Sequence, residues 1–109
     1  MPYQIYAKNL DLTEPLKEYI NMKIEKLSRF LKNSDDYCQV DLSRDAHHKK
    51  GQVFRAEINL TVNGKTVRVA ETSIDIRGAI DLARDKVFLQ LNKTKEKIIS
   101  RRQQVKNNN

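Results

Sequence analysis

The residues of this sequence that could carry chemistry are basic side chains at helical spacing, and the chemistry they suit is anion binding. One set follows the spacing i, i+7 and i+11 beside an apolar face: Lys86, Lys93 and Lys97. A second set flanks the apolar face of an earlier segment: Lys23, Lys26 and Arg29. Ridges of lysine and arginine bind nucleic-acid phosphates through counterion release, with little base specificity. The alternative is that lysine stems lie along the edge of the core for packing alone.

The distribution of charge favours the anion-binding interpretation. The chain has 109 residues, and 21 Lys and Arg against 14 Asp and Glu give a net charge of +7. Between Arg84 and Asn109, eight basic residues face two acidic ones, so most of the excess lies in the last quarter of the chain. A basic segment on a nearly neutral body indicates a polyanionic partner, most often nucleic acid. A solubilising helix end is the alternative that composition leaves open.

Residues for catalysis or metal binding are sparse. His47 and His48 are adjacent in a polar segment, and no acid or cysteine stands at a metal-ligand spacing from them. Cys38 falls on the apolar side of a predicted strand, where a small buried residue is the ordinary explanation. The three glycines form no phosphate-binding loop. We therefore expect no enzyme, no metal and no cofactor, with an unrecognised hydrolase as the weakest alternative.

Composition bounds the class of protein. The length allows one compact domain, and 39% apolar against 32% charged residues permits a modest core but not a membrane protein. No apolar run approaches the roughly 18 residues of a membrane-spanning helix. The first residues lack the apolar stretch of a secretory signal, and one cysteine rules out an internal disulfide framework. We expect a cytoplasmic protein that does not contact membranes.

The elements that must position the basic residues follow from the period of the apolar positions. It predicts a strand over 3–7, a helix over 14–32, strands over 38–43, 54–62 and 65–72, and a helix from 76 to 99–101. Thr13 and Asp75 are the expected N-caps of the two helices. The Asn63-Gly64 turn would pair Leu60 with Val67, since both of its residues tolerate positive φ.

The order β-α-β-β-β-α predicts an α+β fold. Each strand is apolar on one side only, and each helix has one apolar face, so both helices are expected to cover the same face of a four-stranded mixed sheet. The turn register also pairs Ile58 with Val69, Thr61 with Thr66 and Asn59 with Arg68. The result is a two-layer sandwich. A single domain over 1–102 and a disordered polar tail over 103–109 complete the prediction.

Three apolar residues fall outside the main apolar face of the last helix: Leu82, Phe88 and Leu89. Packing against the first helix is one interpretation. A surface patch for a protein partner is the other.

Three segments together resemble a known family, the short form of the ribosome hibernation-promoting factors, also called ribosome-associated inhibitors. They are LTEPLKEYINMKIEKLSRF (Leu12–Phe30), the VNGKTVRVAE hairpin, and SIDIRGAIDLARDKV (Ser73–Val87). The resemblance covers about residues 3–101, and the order and spacing of the segments make it specific. In the last segment Asp75, Ala79, Ile80 and Asp81 match the usual family pattern.

The resemblance implies the same β-α-β-β-β-α fold and a translation inhibitor. Family members bind the small ribosomal subunit where mRNA and tRNA bind, and so keep idle ribosomes inactive in stationary phase or stress. The resemblance also implies that rRNA phosphates are the direct ligand and that the protein is a monomer off the ribosome. A general double-stranded-RNA-binding module, not dedicated to the ribosome, is the alternative function. A protein-interaction module that uses the exposed apolar residues is a further one.

The resemblance carries rRNA-binding roles onto basic residues of both helices. The matching positions are Lys17, Lys23, Lys26, Arg29, Lys86, Lys93 and Lys97. Three departures alter this set, because Arg77 stands where the family has tyrosine, Leu89 where it commonly has a basic residue and Phe88 where it usually has a charged residue. Leu89 cannot bind a phosphate, and we expect Arg77, Arg84 and Arg101 to compensate for it.

Overall fold

The computed structural model describes residues 3–107, and it describes side chains over residues 3–92. The elements are β1 (Tyr3–Lys8), α1 (Glu14–Ser28), β2 (Tyr37–Arg44), β3 (Phe54–Val62), β4 (Lys65–Ser73) and α2 (Ile76–Asn107). The predicted element order is therefore confirmed. Across the described part of the chain, no helix combines the length and hydrophobicity that crossing a membrane requires.

The four strands form one sheet in the order β1-β2-β3-β4. β1 and β2 are parallel because α1 connects them as a crossover, and the other two pairs are antiparallel hairpin-type neighbours. The predicted register is confirmed, since Leu60 pairs with Val67 and Ile58 with Val69. Asn63 and Gly64 have φ of 52° and 76°, the positive values that a two-residue turn between twisted strands requires.

The core lies between the sheet and the two helices. α1 contributes Leu16, Ile20, Ile24 and Leu27, and α2 contributes Ala79, Ile80, Ala83 and Val87. The sheet contributes Cys38, Val40, Leu42, Ala56, Ile58, Leu60 and Val69. Both helices thus cover one face of the sheet, as predicted, and the other face is open.

Both predicted N-caps are present. The Thr13 hydroxyl accepts a hydrogen bond from the Leu16 N–H at 3.3 Å, and Asp75 Oδ1 accepts one from the Gly78 N–H at 2.7 Å. These bonds satisfy amide groups that the first turn of a helix leaves without a backbone partner. The caps therefore fix where each helix begins, and with it which residues face the core.

The end of α1 differs from the prediction. The apolar period predicts a helix to residue 32, whereas α1 ends at Ser28, and Phe30 N–H and Leu31 N–H each bond three residues back, at 3.0 Å. The Asp36 carboxylate then accepts the N–H groups of Lys32 and Asn33, both at 3.0 Å. Since the carboxylate replaces the helical carbonyl acceptors, it draws the chain out of the helix.

The end of α2 also differs from the expected one. The apolar period predicts a last residue between Ile99 and Arg101, whereas the helix runs to Asn107. Residues 108 and 109 lie outside the described residues. The disordered tail over 103–109 and the domain boundary at 102 stay predictions.

Candidate nucleic-acid interface

The two helices meet along a groove that gathers charged side chains from both. Tyr19 Oη donates a 2.6 Å hydrogen bond to Asp81 Oδ1, and Lys23 Nζ lies 3.5 Å from the same oxygen. Arg77 and Arg84 lie one turn to either side of Asp81 on α2. We call this surface the interhelical groove and define it by Tyr19, Lys23, Arg77, Asp81, Arg84 and Phe88.

Aromatic rings support the cations of the groove. Lys23 Nζ lies 5.5 Å and Arg77 Cζ 5.0 Å from the centre of the Tyr19 ring, and Arg84 Cζ lies 5.7 Å from that of Phe88. Phe88 is itself held by an edge-on contact with Phe30, with ring centres 6.2 Å apart. A cation over a ring face gains electrostatic attraction while its polar hydrogens stay at the surface. The rings therefore orient the three cations at the groove, where Lys23 and Arg84 also contact carboxylates and their remaining donors can bind an anion.

Carboxylates partly balance the positive charge of the groove. Lys23 faces Asp81, and Arg84 Nη2 lies 2.8 Å from Asp85 Oδ1. Burial, together with the hydrogen bond to Asp81, raises the pKa of Tyr19 to about 12, although Arg77 and Arg84 act in the opposite direction. Tyr19 is therefore a neutral donor at physiological pH. It shares the Asp81 Oδ1 oxygen with Lys23.

The apolar faces of the helices determine which side chains form the groove. Tyr19 and Lys23 are four residues apart and flank the buried Ile20 and Ile24 of α1. Arg77, Asp81 and Arg84 repeat the same kind of spacing beside the buried positions of α2. Both buried faces lie on the sheet. The hydrogen bond between Tyr19 and Asp81 shows that these two flanks face each other across the groove.

Two further predicted residues continue the basic surface along α1. Lys26 lies in the last turn of the helix and is exposed. Arg29 is exposed as well, and its Nε donates to the Lys26 carbonyl oxygen at 3.1 Å, so it caps the helix end. Both remain available to an anion in solvent.

Other predicted residues lie away from the groove. Lys17 pairs with Glu14 at 3.3 Å near the start of α1. Lys86 forms an ion pair with Glu71 of β4, so it lies on the side of α2 that faces the sheet edge rather than α1. The side chains of Lys93, Lys97 and Arg101 lie outside the described residues. The structure thus joins Lys23, Arg77 and Arg84, and it separates them from Lys86.

Sequence reasoning did not identify Tyr19 and Asp81 as the centre of this surface. A signal was present, since Tyr19 precedes Lys23 by four residues and Asp81 follows Arg77 by four. Such spacing places two side chains of each helix side by side on its surface. It does not say which flank of one helix meets which flank of the other.

The remaining candidate residues have structural roles. Cys38 is buried, as predicted, with 2% of its surface exposed, and burial raises the pKa of its thiol to about 12. His48 Nδ1 lies 2.7 Å from Asp45 Oδ2 in the loop after β2. Within the part of the chain that the structure describes, no three His, Cys, Asp or Glu side chains are placed to hold a metal ion.

The apolar residues outside the main face of α2 divide between the two interpretations. Phe88 packs on the core and against Phe30, as the packing interpretation predicts. Leu82 and Leu89 remain exposed, at 46% and 59% of their surface. Packing between the helices therefore explains only Phe88.

Comparison with known proteins places this fold in a family. The model of the family described as "Sigma 54 modulation protein / S30EA ribosomal protein" matches residues 3–99. The chain is 32% identical over 102 residues to a ribosome hibernation promotion factor of Deinococcus radiodurans, covering 94% of this chain and 53% of that protein. It is 34% identical over 103 residues to a ribosome hibernation promoting factor of Azotobacter vinelandii, covering 94% of this chain and 91% of that protein. The chain spans about half the length of several curated relatives that it matches.

Solved structures agree with the assignment. The N-terminal domain of Protein Y from Thermus thermophilus has a TM-score of 0.67 and 31% identity, over 84% of this chain and 94% of that one. A ribosomal subunit interface protein from Coxiella burnetii, with a TM-score of 0.69 and 19% identity over 88% of this chain and 99% of that one, shares the fold. The sequence resemblance to ribosome hibernation-promoting factors is thus confirmed, and the chain belongs to the Sigma 54 modulation protein / S30EA ribosomal protein family.

Proposed function

We propose that the chain is a translation inhibitor that binds the small ribosomal subunit in the channel for mRNA and tRNA, and so keeps idle ribosomes inactive. Relatives along almost its whole length are named ribosome hibernation factors, which supports a role on the ribosome. The function is non-enzymatic, because a protein that fills a channel needs only affinity and volume.

The observation that carries the proposal is the convergence of Lys23, Arg77 and Arg84 in the interhelical groove. These cations come from two helices, so their spacing is set by helix packing rather than by one flexible segment. Arginine presents a planar fork of donors to a phosphate, and lysine adds a point charge. Folded rRNA displays phosphates at fixed positions, and a rigid set of cations suits such a target.

The exposed cations at the end of α1 extend the same surface. Lys26 and Arg29 follow Lys23 along the helix and carry no carboxylate partner among the ion pairs of residues 3–92. We infer that they add phosphate contacts beyond the groove. Lys86, Lys93, Lys97 and Arg101 form a second set along α2, and their contribution is a separate part of the proposal.

Inhibition follows from occupancy. A domain bound across the decoding channel excludes mRNA and tRNA by volume, as a monomer and with no chemical step. The cytoplasm is the compartment where such a protein meets ribosomes.

Co-sedimentation with purified small subunits tests the groove. The double variant Lys23→Gln with Arg77→Gln removes two groove charges, and Lys50→Gln with Lys65→Gln removes two exposed charges from a loop and from the start of β4. We expect the groove variant to bind at least about tenfold more weakly and the control to change less than about twofold. Equal binding of the two variants would contradict the assignment of the groove.

The same experiment addresses the double-stranded-RNA alternative. A naked RNA duplex offers phosphates without the architecture of the subunit, so we expect much weaker binding to it. A duplex bound as tightly as the assembled subunit would favour a general RNA-binding module instead.

A further inference from the structure

We propose that the open face of the sheet holds a second RNA-binding site, one that takes an unpaired nucleotide of single-stranded RNA. This face lies opposite the helices, so the site is separate from the interhelical groove. Two adjoining cavities mark it, with volumes of about 380 Å³ and 280 Å³. Lys8, Ser43 and Arg55 line both of them, so the two form one continuous depression. Its size is that of a site for a small organic ligand.

Three cations surround the larger cavity at the ends of adjacent strands. Lys8 ends β1 and Arg55 lies at the start of β3, both on the open face, whereas Arg44, which ends β2, reaches the cavity from the opposite side of the sheet, where it lies over the Phe54 ring. The sheet register aligns Lys8 with Ser43, and Ser43 with Arg55. Neighbouring strands are ~4.8 Å apart, so the Lys8 and Arg55 backbones lie roughly 10 Å apart, with the small Ser43 between them. That gap suits a phosphate group held from both sides.

Carboxylates near the cations already have partners. Asp45 accepts the His47 N–H at 2.8 Å, and its other oxygen lies 2.7 Å from His48 Nδ1. Glu57 is buried between two arginines, with Arg55 Nη1 3.7 Å from one of its oxygens and Arg68 Nε bonded to the other. Arg55 is thereby positioned by an anion that also serves Arg68. Among the residues that line the two cavities, Lys8, Arg44 and Arg55 outnumber Asp41 and Asp45 by one, so the depression keeps a net positive charge.

An exposed aromatic ring lies beside the cations in the smaller cavity. Tyr6 is 52% exposed, and its hydroxyl donates to Gln4 Oε1 at 2.8 Å, a bond that orients the side chain. Tyr6 and Lys8 are two residues apart on one strand, so they share a face at a separation of roughly 7 Å. A base can therefore stack on Tyr6 while its phosphate lies at Lys8 and Arg55.

This pairing of a ring with cations selects single strands. In a duplex the bases are stacked inside the helix, whereas unpaired bases are free to stack on aromatic side chains. Asp41 pairs with Tyr6 in the register and lines the same cavity, and its carboxylate accepts hydrogen bonds from the Gln39 amide. It offers an acceptor to the amino group of a stacked base.

The test measures fluorescence anisotropy of a labelled six-nucleotide single-stranded RNA of mixed sequence, at about 50 mM salt. We expect Tyr6→Ala to weaken binding at least about fivefold, and Tyr6→Phe to retain it, since phenylalanine also stacks. Lys8→Gln with Arg55→Gln should weaken binding about tenfold or more. The matched control Lys32→Gln with Lys65→Gln, which removes two exposed charges from the other end of the sheet, should change it less than about twofold.

The outcomes separate this site from the proposed ribosomal function. Loss of binding in Lys23→Gln with Arg77→Gln, together with full binding by the sheet variants, would overturn the proposal, because the RNA would then occupy the groove. Absence of binding by the wild-type protein would overturn it as well. Neither result bears on co-sedimentation with small subunits. Circular dichroism melts of every variant confirm that the comparison is between folded proteins.

Discussion

The hydroxyl of Tyr19 donates a 2.6 Å hydrogen bond to Asp81, and so joins two helices through residues that lie 62 positions apart in the chain. The same ring lies under the cations of Lys23 and Arg77. One residue therefore connects the packing of the helices to the placement of the charges. The arrangement makes the geometry of the groove sensitive to a single oxygen atom.

Removing that oxygen should destabilise the fold measurably. Tyr19→Phe leaves the ring and takes away a partly buried bond to a charged acceptor, so we expect a loss of about 1–2 kcal/mol in the free energy of unfolding in urea. Tyr6→Phe is the matched control, because its hydrogen bond is exposed, and should change stability by less than about 0.5 kcal/mol. Equal effects of the two substitutions would show that the hydrogen bond across the groove adds nothing to the free energy of unfolding.

Stability should fall at alkaline pH because of Cys38. Burial raises the pKa of its thiol to about 12, above the ordinary value of 9.0. As the pH rises, the unfolded chain therefore loses this proton before the folded protein does. The contribution of the buried neutral thiol to the free energy of unfolding is complete below pH 9 and is lost as the pH rises toward 12. Urea unfolding at about pH 8 and about pH 10 should show this decrease, and Cys38→Ala should show a smaller one from a lower starting stability. If Cys38→Ala lost as much stability between these two pH values as the wild type does, the alkaline loss of stability would not come from Cys38.

Acid sensitivity should arise from Asp36, whose carboxylate links three segments. It accepts the N–H groups of Lys32, Asn33 and Asn63, each at 3.0 Å, and so ties the end of α1 to the β3–β4 turn. These bonds, that of Asn33 foremost, hold the pKa of Asp36 below its usual 3.8. The contribution of the Asp36 carboxylate to the free energy of unfolding is therefore present above pH 3.8 and is lost as the pH falls through the pKa of the folded protein.

Asp36→Asn tests this linkage. We expect the variant to unfold at a lower urea concentration than the wild type at about pH 7, and the difference to narrow at about pH 3. The exposed neighbour offers a control, since Asp35→Asn should leave the midpoint unchanged at both values. If the urea midpoints of the wild type and Asp36→Asn differed by the same amount at both pH values, the charge of Asp36 would not be what stabilises the junction.

Ribosome binding should depend steeply on salt if phosphates are the ligand. Each neutralised phosphate adds roughly one unit to the slope of log affinity against log salt concentration. Lys23→Gln with Arg77→Gln should therefore reduce that slope by about two, and Lys50→Gln with Lys65→Gln should leave it unchanged. A slope that is the same in all three proteins would exclude the groove as a phosphate site.

The sequence predicted the sheet closely because its signals are local. The Asn63-Gly64 turn allows one register, and a shift by one residue would have turned Ile58 and Leu60 toward solvent. The helix caps at Thr13 and Asp75 can also be predicted from the sequence, since each needs only a side-chain oxygen three residues before a backbone N–H. The end of α1 was missed because Asp36 replaces the helical acceptors from four residues further along the chain.

The candidate site could be predicted only in part. Helical spacing identified Lys23 beside an apolar face, whereas Arg77 and Arg84, which join it in the groove, were expected only from the family resemblance, as compensation for Leu89. Each helix has two such flanks, however, and the choice between them depends on contacts between residues distant in the chain. Spacing alone therefore groups Lys86 with the site, although it pairs with Glu71 at the sheet edge.

Competition with tRNA on the small subunit tests the central claim most directly. Labelled initiator tRNA is bound to purified small subunits with mRNA, and the protein is added in increasing amounts. We predict that wild-type protein releases the tRNA in proportion to its own binding, and that Lys23→Gln with Arg77→Gln requires at least about tenfold more protein. Saturation of the subunit by wild-type protein with the tRNA still fully bound would contradict occupation of the channel.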